Sequence, residues 1–291
     1  MTITRRMSTI FAARSSVKFQ NLLIRVVSHA VLLAFTLIVV YPVFWMLMGS
    51  FKTGQEAVEN VWGLPHTLVW QNYPQAWERG MIGQAFLNSV FVSTGVVMLV
   101  VAFASLAGYA FAKLSFPYSV PLFLVFVFTM QAGAPIVPLY VMLVKLKMTN
   151  TYAGLILPSV AGGLPLSIFI FRAFFGSIPQ ELIDAAKVDG CREFDAFVRV
   201  VAPISGPAVA TVAILQFLGA WNDFALPLVL VRTPNMRTLP LTINAFQWEF
   251  GRTDWQLVFA ALSSGSIPMI ILYMLMQRQF IQGLTSGAVK G

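Results

Sequence analysis

The 291-residue sequence predicts an all-α membrane protein with six transmembrane helices and a charged cytoplasmic loop between spans four and five. Composition is the first reason: 58% of residues are hydrophobic and 10% charged, against about 25% charged in soluble domains. The second is six windows without Asp, Glu, Lys or Arg, at 26–51, 80–112, 114–144, 148–171, 200–222 and 255–277. Each exceeds the roughly 20 apolar residues a helix needs to cross hydrocarbon. The third is charge asymmetry. With the N-terminus inside, inner segments hold twelve Lys and Arg and outer segments seven, which puts both termini and the 172–203 loop in the cytoplasm. Topology thus accounts for the basic balance, and nucleic acid is not an expected partner. Cys191 is the only cysteine, so no internal disulfide forms, and His29 and His66 are too few and too far apart for an HExxH metal site.

Span one is expected at about 24–49, behind a basic, acid-free tail at residues 1–23. The tail resembles a signal-peptide n-region, but the apolar run after it is too long and lacks a small-x-small cleavage site. Tyr41, Phe44 and Trp45 suit an interfacial belt. An outer loop, 50–82, leads to spans two and three, about 84–112 and 119–144, joined by a tight inner turn with Lys113 and Pro117. A short outer link precedes span four at 152–175; then come the charged loop, span five at 205–231, an outer loop at 232–254 and span six at 256–279. The simplest division is one membrane domain over 24–282, containing loop 176–203, with tails at 1–23 and 283–291. MQAGAPIVP (130–138) and LPSVAGGLP (157–165) place Pro and Gly deep in the bilayer, either as kinks at close helix contacts or as pathway lining.

The densest charge lies at 181–199, where Glu181, Asp184, Lys187, Asp189, Arg192, Glu193, Asp195 and Arg199 cluster. Ser177 and Gln180 form a capping-box pattern, predicting a short helix over 180–189 that stops near Gly190. A second amphipathic helix is expected with Phe194, Phe197, Val198 and Val201 on one face, and Pro203 and Pro207 bracket the return into the membrane. Small Ala185 and Ala186 would admit a partner backbone; a helix lying in the headgroups with solvated charges reads the pattern equally well.

This segment resembles the cytoplasmic "EAA" loop of ATP-binding-cassette importer permeases: Glu-Ala-Ala, three residues, Gly, nine residues, Ile, one residue, Leu-Pro. Here Asp184-Ala185-Ala186, Gly190, Val200 and Ala202-Pro203 keep the spacing, with Asp for Glu, Val for Ile and Ala for Leu. LNSVFVS, AGYAFAKLSFP, NTYAGLILP, FRAFFGSIPQELIDAAKVDG, WNDFALPLVL, TLPL and QRQFIQGLTSGAVKG are similar, in order, to the smaller permease of the maltose-transporter type. The resemblance implies a type I importer permease architecture in a bacterial inner membrane. It further implies a second homologous permease, an ATPase dimer binding ATP and Mg, an extracytoplasmic solute-binding protein and surrounding lipid as partners. On that basis loop 176–203 is a coupling loop, with Glu181, Asp184, Ala185, Ala186, Asp189, Gly190 and Pro203 as ATPase-coupling residues. Ala186 and Gly190 are expected to be its sterically strictest contacts. The tail residues Gly283, Leu284, Thr285, Gly287 and Lys290 match a family tail that inserts between ATPase subunits; the alternative is a plain disordered terminus. Within this chain no GxxxxGK[ST] loop occurs, so no nucleotide or other cofactor is expected in it.

Four residues, Gln131, Trp221, Asn222 and Asp223, are candidates for a substrate pathway. Asp223 is a potential intramembrane carboxylate or an interfacial residue held by Asn222 and a helix end. Trp221 could stack on a sugar ring or anchor at the interface. Gln131 could line the pathway or make packing hydrogen bonds. In loop 232–254, Asn244, Gln247 and Trp248 match the family loop that reaches into the binding protein, or belong to a solvated connector. Neither paired ionisable residues nor an inverted repeat speaks for an ion-coupled secondary carrier. No HExxH, GxGD or GxSG supplies a catalytic seat, so the chain is not expected to be an enzyme. A sugar or oligosaccharide is the expected cargo, with glycerol-phosphate or another polyol as the alternative.

Overall fold

A computed structural model describes residues 2–132, 135–248, 254–267, 270, 271 and 274. Regular structure among them is helical. α1 (Thr2–Ser50) is followed by two short outer helices, α2 (Gly54–Glu59) and α3 (Asn72–Arg79), then by α4 (Ile82–Lys113). The outer loop is therefore not a plain connector. Thr53 caps α2 by accepting from the Glu56 N–H at 3.2 Å, and Asn72 donates to the Ser50 and Lys52 carbonyls at 2.8 Å each.

Span three is two helices, α5 (Ser119–Ala132) and α6 (Ile136–Lys145), with Pro135 as the N-cap of the second. Span four, α7 (Tyr152–Gly176), runs unbroken through Pro158 and Pro165. The chain then forms α8 (Gln180–Val188), α9 (Glu193–Ala196), a π turn (Phe197–Val201) and α10 (Ala202–Ile204). Span five comprises α11 (Gly206–Trp221) and, after a break at Asn222–Phe224, α12 (Ala225–Leu230). A 3₁₀ turn (Pro234–Met236) and α13 (Leu239–Trp248) form within the loop expected at 232–254, and α14 covers 255–267.

Among the described residues, three unbroken helices are long and apolar enough to cross a membrane: Ile24–Ser50, Ile82–Lys113 and Tyr152–Gly176. Expected span three is interrupted at Pro135, which has no N–H to donate, and expected span five at Asn222–Phe224; of expected span six the described residues are 256–267, 270, 271 and 274.

α4 and α7 make the central contact. Val92, Val96, Val100, Ala104 and Gly108 fall every fourth residue, a narrow stripe that admits a close neighbour. Phe171 and Phe175 fill this seam near the C-terminal end of α7, fully buried. A second cluster, with Ala76, Ile82, Ala85, Trp221, Leu257 and Ala261, closes the outer end around α3, α4, α11 and α14. By contrast, residues 24–44 of α1 are exposed along their whole length. Among the described residues, α1 meets the rest of the chain near its C-terminal end, where Trp45 packs edge-on against Phe259 (centroids 4.9 Å) and donates to the Val61 carbonyl at 2.7 Å.

Candidate functional site

The charged loop folds as a platform at the C-terminal ends of α4 and α7. Ser177 does not make the expected capping box. Its hydroxyl donates back to the Phe174 carbonyl at 2.7 Å, and α8 starts with Pro179 as N-cap. The preceding helix ends one residue earlier, so that carbonyl is the nearer partner for the hydroxyl. α8 stops at Val188, and Gly190 takes φ +87°, a left-handed conformation that disfavours a side chain.

The helix is held from beneath. Ile183 and Ala186 are buried in the chain's own core, and Lys113 of α4 donates to the Ile178 carbonyl at 2.6 Å. Glu193 adds a second link between the platform and span two. It pairs with Lys187 of α8 and accepts from the Tyr109 hydroxyl at 3.3 Å. The Glu193 hydrogen bond holds the Lys187 ammonium above its usual range.

The outward face carries Glu181, Asp184, Ala185, Asp189 and Gly190, all exposed. Ala186 is a correction to the expected contact set. Its side chain points into the chain, so its small size serves internal packing rather than a partner's approach. Sequence reasoning missed Leu182 and Val188, which are 47% and 87% exposed beside Ala185. Spacing of three places 182, 185 and 188 in one row, and this apolar row among acids was readable from the sequence once the buried face was fixed by Ile183. The second helix also departs from expectation. A π turn with i→i+5 bonding rotates the register, burying Phe197 and Val201 while leaving Phe194 and Val198 exposed. Pro203 is exposed on α10, and the chain bends by 79° before α11.

After the C-terminal end of α11, the WNDF turn faces two cavities. One, of about 600 Å³, brings Trp221 and Asn222 together with Asn244 of α13. Trp221 is nevertheless a core residue: Phe217 stacks on it at 5.4 Å and Phe86 meets it edge-on at 5.8 Å. Its ring is thereby committed to packing. The other cavity, about 290 Å³ between α7 and α11, receives Asp223. Asp223 accepts from the Leu226 N–H at 3.3 Å at the start of α12, and Asn222 instead donates to the Leu218 carbonyl. The side chains of Gln131, at the end of α5, and of Gln247 and Trp248, at the end of α13, lie outside the described residues. So do Gly283, Leu284, Thr285, Gly287 and Lys290.

Loop 232–248 is fastened by residues that sequence reasoning overlooked. Asn88 of α4 donates to the Asn235 and Arg237 carbonyls at 2.8 and 2.9 Å and accepts from the Tyr152 hydroxyl at 2.8 Å. Ser89 accepts from the Leu239 N–H at 2.8 Å, and Asn150 accepts from the Arg232 and Thr233 N–H groups.

Residues 101–286 match the family described as binding-protein-dependent transport system inner membrane component. The chain is 35% identical over 260 residues to an arabinooligosaccharides transport system permease protein of Halalkalibacterium halodurans, covering 87% of this chain and 92% of the relative. It is 33% identical over 267 residues to a diacetylchitobiose uptake system permease protein of Streptomyces coelicolor, covering 91% and 88%. In fold it is similar to a chain from the crystal structure of a bacterial ABC transporter involved in import of the acidic polysaccharide alginate. There the TM-score is 0.79 at 22% identity, covering 88% and 95%. A helical chain with a platform outside its apolar helices, matched by this family over most of its length, belongs to the binding-protein-dependent transport system inner membrane components.

Proposed function

We propose that this chain is one of two permease subunits of an ATP-driven importer for a sugar or oligosaccharide. It forms half of the translocation pathway and receives force from a separate cytoplasmic ATPase. The observation that carries the reading is the outward face of α8: an exposed Leu182–Ala185–Val188 row flanked by Glu181, Asp184 and Asp189, on a helix whose opposite face is locked into the membrane domain. A soluble motor gripping this face would move α4 through Glu193 and Tyr109. Gly190 and Pro203 set where the platform ends, and the tail through Gly283, Leu284, Thr285, Gly287 and Lys290 supplies a second ATPase contact. ATP and Mg belong to that ATPase, and the chain itself performs no bond chemistry.

The exposed length of α1 supports a second permease as partner, and the fastened loop 232–248, with Asn244, Gln247 and Trp248, supports contact with an extracytoplasmic solute-binding protein. Both termini are assigned to the cytoplasm, with six crossings in the inner membrane. A sugar cargo is supported by the relatives' transport of arabinooligosaccharides and diacetylchitobiose; glycerol-phosphate or another polyol is the alternative.

The test is affinity purification of the tagged chain from its native membranes in mild detergent. Retention of a Walker-motif ATPase, a second permease and a solute-binding protein is the expected result. Recovery of the chain alone across several detergents would overturn the reading and favour an ion-coupled secondary carrier.

A further inference from the structure

Of the cations that lie away from the charged platform, some have visible partners and some do not. Lys52 is buried against the Asn60 and Val61 carbonyls, and Arg79 pairs with Asp254 at 3.4 Å. Lys145 and Lys147, at the C-terminal end of α6, are exposed, and their side chains pair with nothing among the described residues. No Asp or Glu occurs in residues 79–180 or 224–248, the stretches that hold α4 to α7, α12 and α13.

A third cation joins them. Asn150 accepts from the Arg232 N–H at 2.9 Å and donates its own N–H to the Leu230 carbonyl at 2.9 Å, which pins residue 232 to the α6–α7 link. Arg232 is exposed and reaches α6, donating to the Tyr140 hydroxyl at 3.3 Å, which uses one of its five N–H donors. Lys147 takes φ +56°, a left-handed conformation that glycine adopts more readily. Its N–H donates to the Val144 carbonyl at 3.0 Å and that of Met148 to the Leu143 carbonyl at 2.9 Å, so the two lysines flank Leu146 on a hydrogen-bonded turn.

The same turn roofs an apolar groove. A cavity of about 730 Å³ lies between α5, α6 and α7, with Met142, Leu146 and Met148 at the lysine end and Met130, Pro158 and Pro165 further along. Among its described lining residues Thr129 is the one polar side chain, and its hydroxyl donates to the Phe126 carbonyl at 2.7 Å. The walls therefore offer nothing to a polar solute, while three methionines adapt to a flexible apolar one. Only Gly162 is shared with the cleft that receives Asp223. Pro165 lies about 20 Å along α7 from Tyr152 by the 1.5 Å rise, and one leaflet of hydrocarbon is about 15 Å deep.

We infer that this groove and its three cations bind an anionic phospholipid, an acyl chain lying between α5, α6 and α7 and the phosphate at Lys145, Lys147 and Arg232. Residues 142–148 carry both the groove wall and two of the charges, so the occupant must be apolar at one end and anionic at the other. A soluble acidic protein would meet the cations and leave the groove empty. A second permease would cover the groove only by bringing carboxylates to the same end. The inference goes beyond the importer reading and needs only that α7 crosses a membrane. On that reading the lysine end is extracytoplasmic, where a cluster of base runs against the usual distribution of Lys and Arg. A lipid phosphate supplies the missing countercharge.

The experiment is photolabelling of the full chain, alone and in its co-purified complex, in nanodiscs. The probes are phosphatidylglycerol and phosphatidylcholine with a diazirine in one acyl chain, and labelled peptides are mapped by mass spectrometry. Phosphatidylglycerol should label 139–148 and 157–165 at least about tenfold more than phosphatidylcholine in both preparations, since each cation near an anionic lipid is worth up to about fivefold. The double variant Lys145→Gln/Lys147→Gln should keep the wild-type Tm in phosphatidylcholine and lose about tenfold of that preference. Equal labelling by the two lipids overturns the site, as does a preference that the double variant retains. Labelling of the chain alone but not of the complex makes the groove a subunit contact, which overturns the inference and leaves the importer reading standing. A rise in Tm with inorganic phosphate equal to that with phosphatidylglycerol assigns the cations to a free anion and overturns the lipid. If the double variant unfolds, Lys145→Gln decides alone, with an expected loss of about fivefold.

Discussion

At Gly108 a Cβ would lie 2.6 Å from the Phe171 Cβ and 3.1 Å from the Arg172 backbone nitrogen. Neither neighbour can swing aside, because one is at the root of a buried ring and the other is main chain. Gly108→Val should therefore push α4 and α7 apart, at about 1–3 kcal/mol for overpacking. Thermal unfolding of the solubilised protein should fall by several degrees; an unchanged Tm would show that the seam is looser than these distances imply. Two arginine substitutions one residue apart test the platform in the same way. Ala185 is exposed and Ala186 is buried. Ala185→Arg should leave Tm unaltered yet cut retention of the ATPase about tenfold, since a long charged side chain would obstruct a close-packed face. Ala186→Arg should instead destabilise the chain by forcing an uncompensated charge into the core. Equal behaviour of the two variants would mean that α8 is rotated from the orientation described.

Elements differed in how much of them the sequence revealed. α4 and α7 were legible because long charge-free windows and every-fourth small residues are local signals. The stop of α8 was legible because Gly190 sits directly after it. The π turn at Phe197–Val201 was not, since nothing in FVRVV distinguishes i→i+5 from i→i+4 bonding before tertiary packing selects it. Nor was the fastening of loop 232–248, because Asn88 and Asn150 act on carbonyls and N–H groups more than eighty residues away. The outer element around α2 was hidden for a similar reason: its ties run from Glu56 to His66 and from Lys52, nearly fully buried, to the Asn60 and Val61 carbonyls. Burial nudges the Glu56 carboxyl upward. The His66 N–H at 2.8 Å and imidazole at 2.6 Å outweigh that and hold it below the ordinary 4.5. A carboxyl depressed on folding contributes stability that is full above about pH 4.5 and is lost as pH falls through the folded value. Hydrogen exchange across 54–66, corrected for intrinsic rates, should accelerate on acidification below that point. Glu56→Gln should be fast throughout and show no such step; a step of the same size in the variant would exclude Glu56 as its origin.

For the whole molecule, α1 poses the question of what the chain is when alone. Residues 24–44 expose Leu33, Phe35, Leu37 and Ile38, while α4 and α7 bury much of their surface. Lipid can cover such a face, but lipid does not fix its direction. Among the described residues, α1 is tethered to the remainder through Trp45, Ser50 and neighbouring contacts at its C-terminal end. In a bilayer, helix against helix gains packing contacts that fluid tails do not supply, so the proposed second permease would cover this face better than lipid. A photoreactive residue placed at Ile38 should crosslink to the second permease when both are co-expressed. Placed at Val100, which is fully buried, it should crosslink only within the chain. Capture of lipid alone at Ile38 in the assembled complex would make α1 a peripheral anchor and move the subunit contact to another face. Capture of the partner would mean that the fold described here is half of a structure whose first helix is packed only when the second half is present.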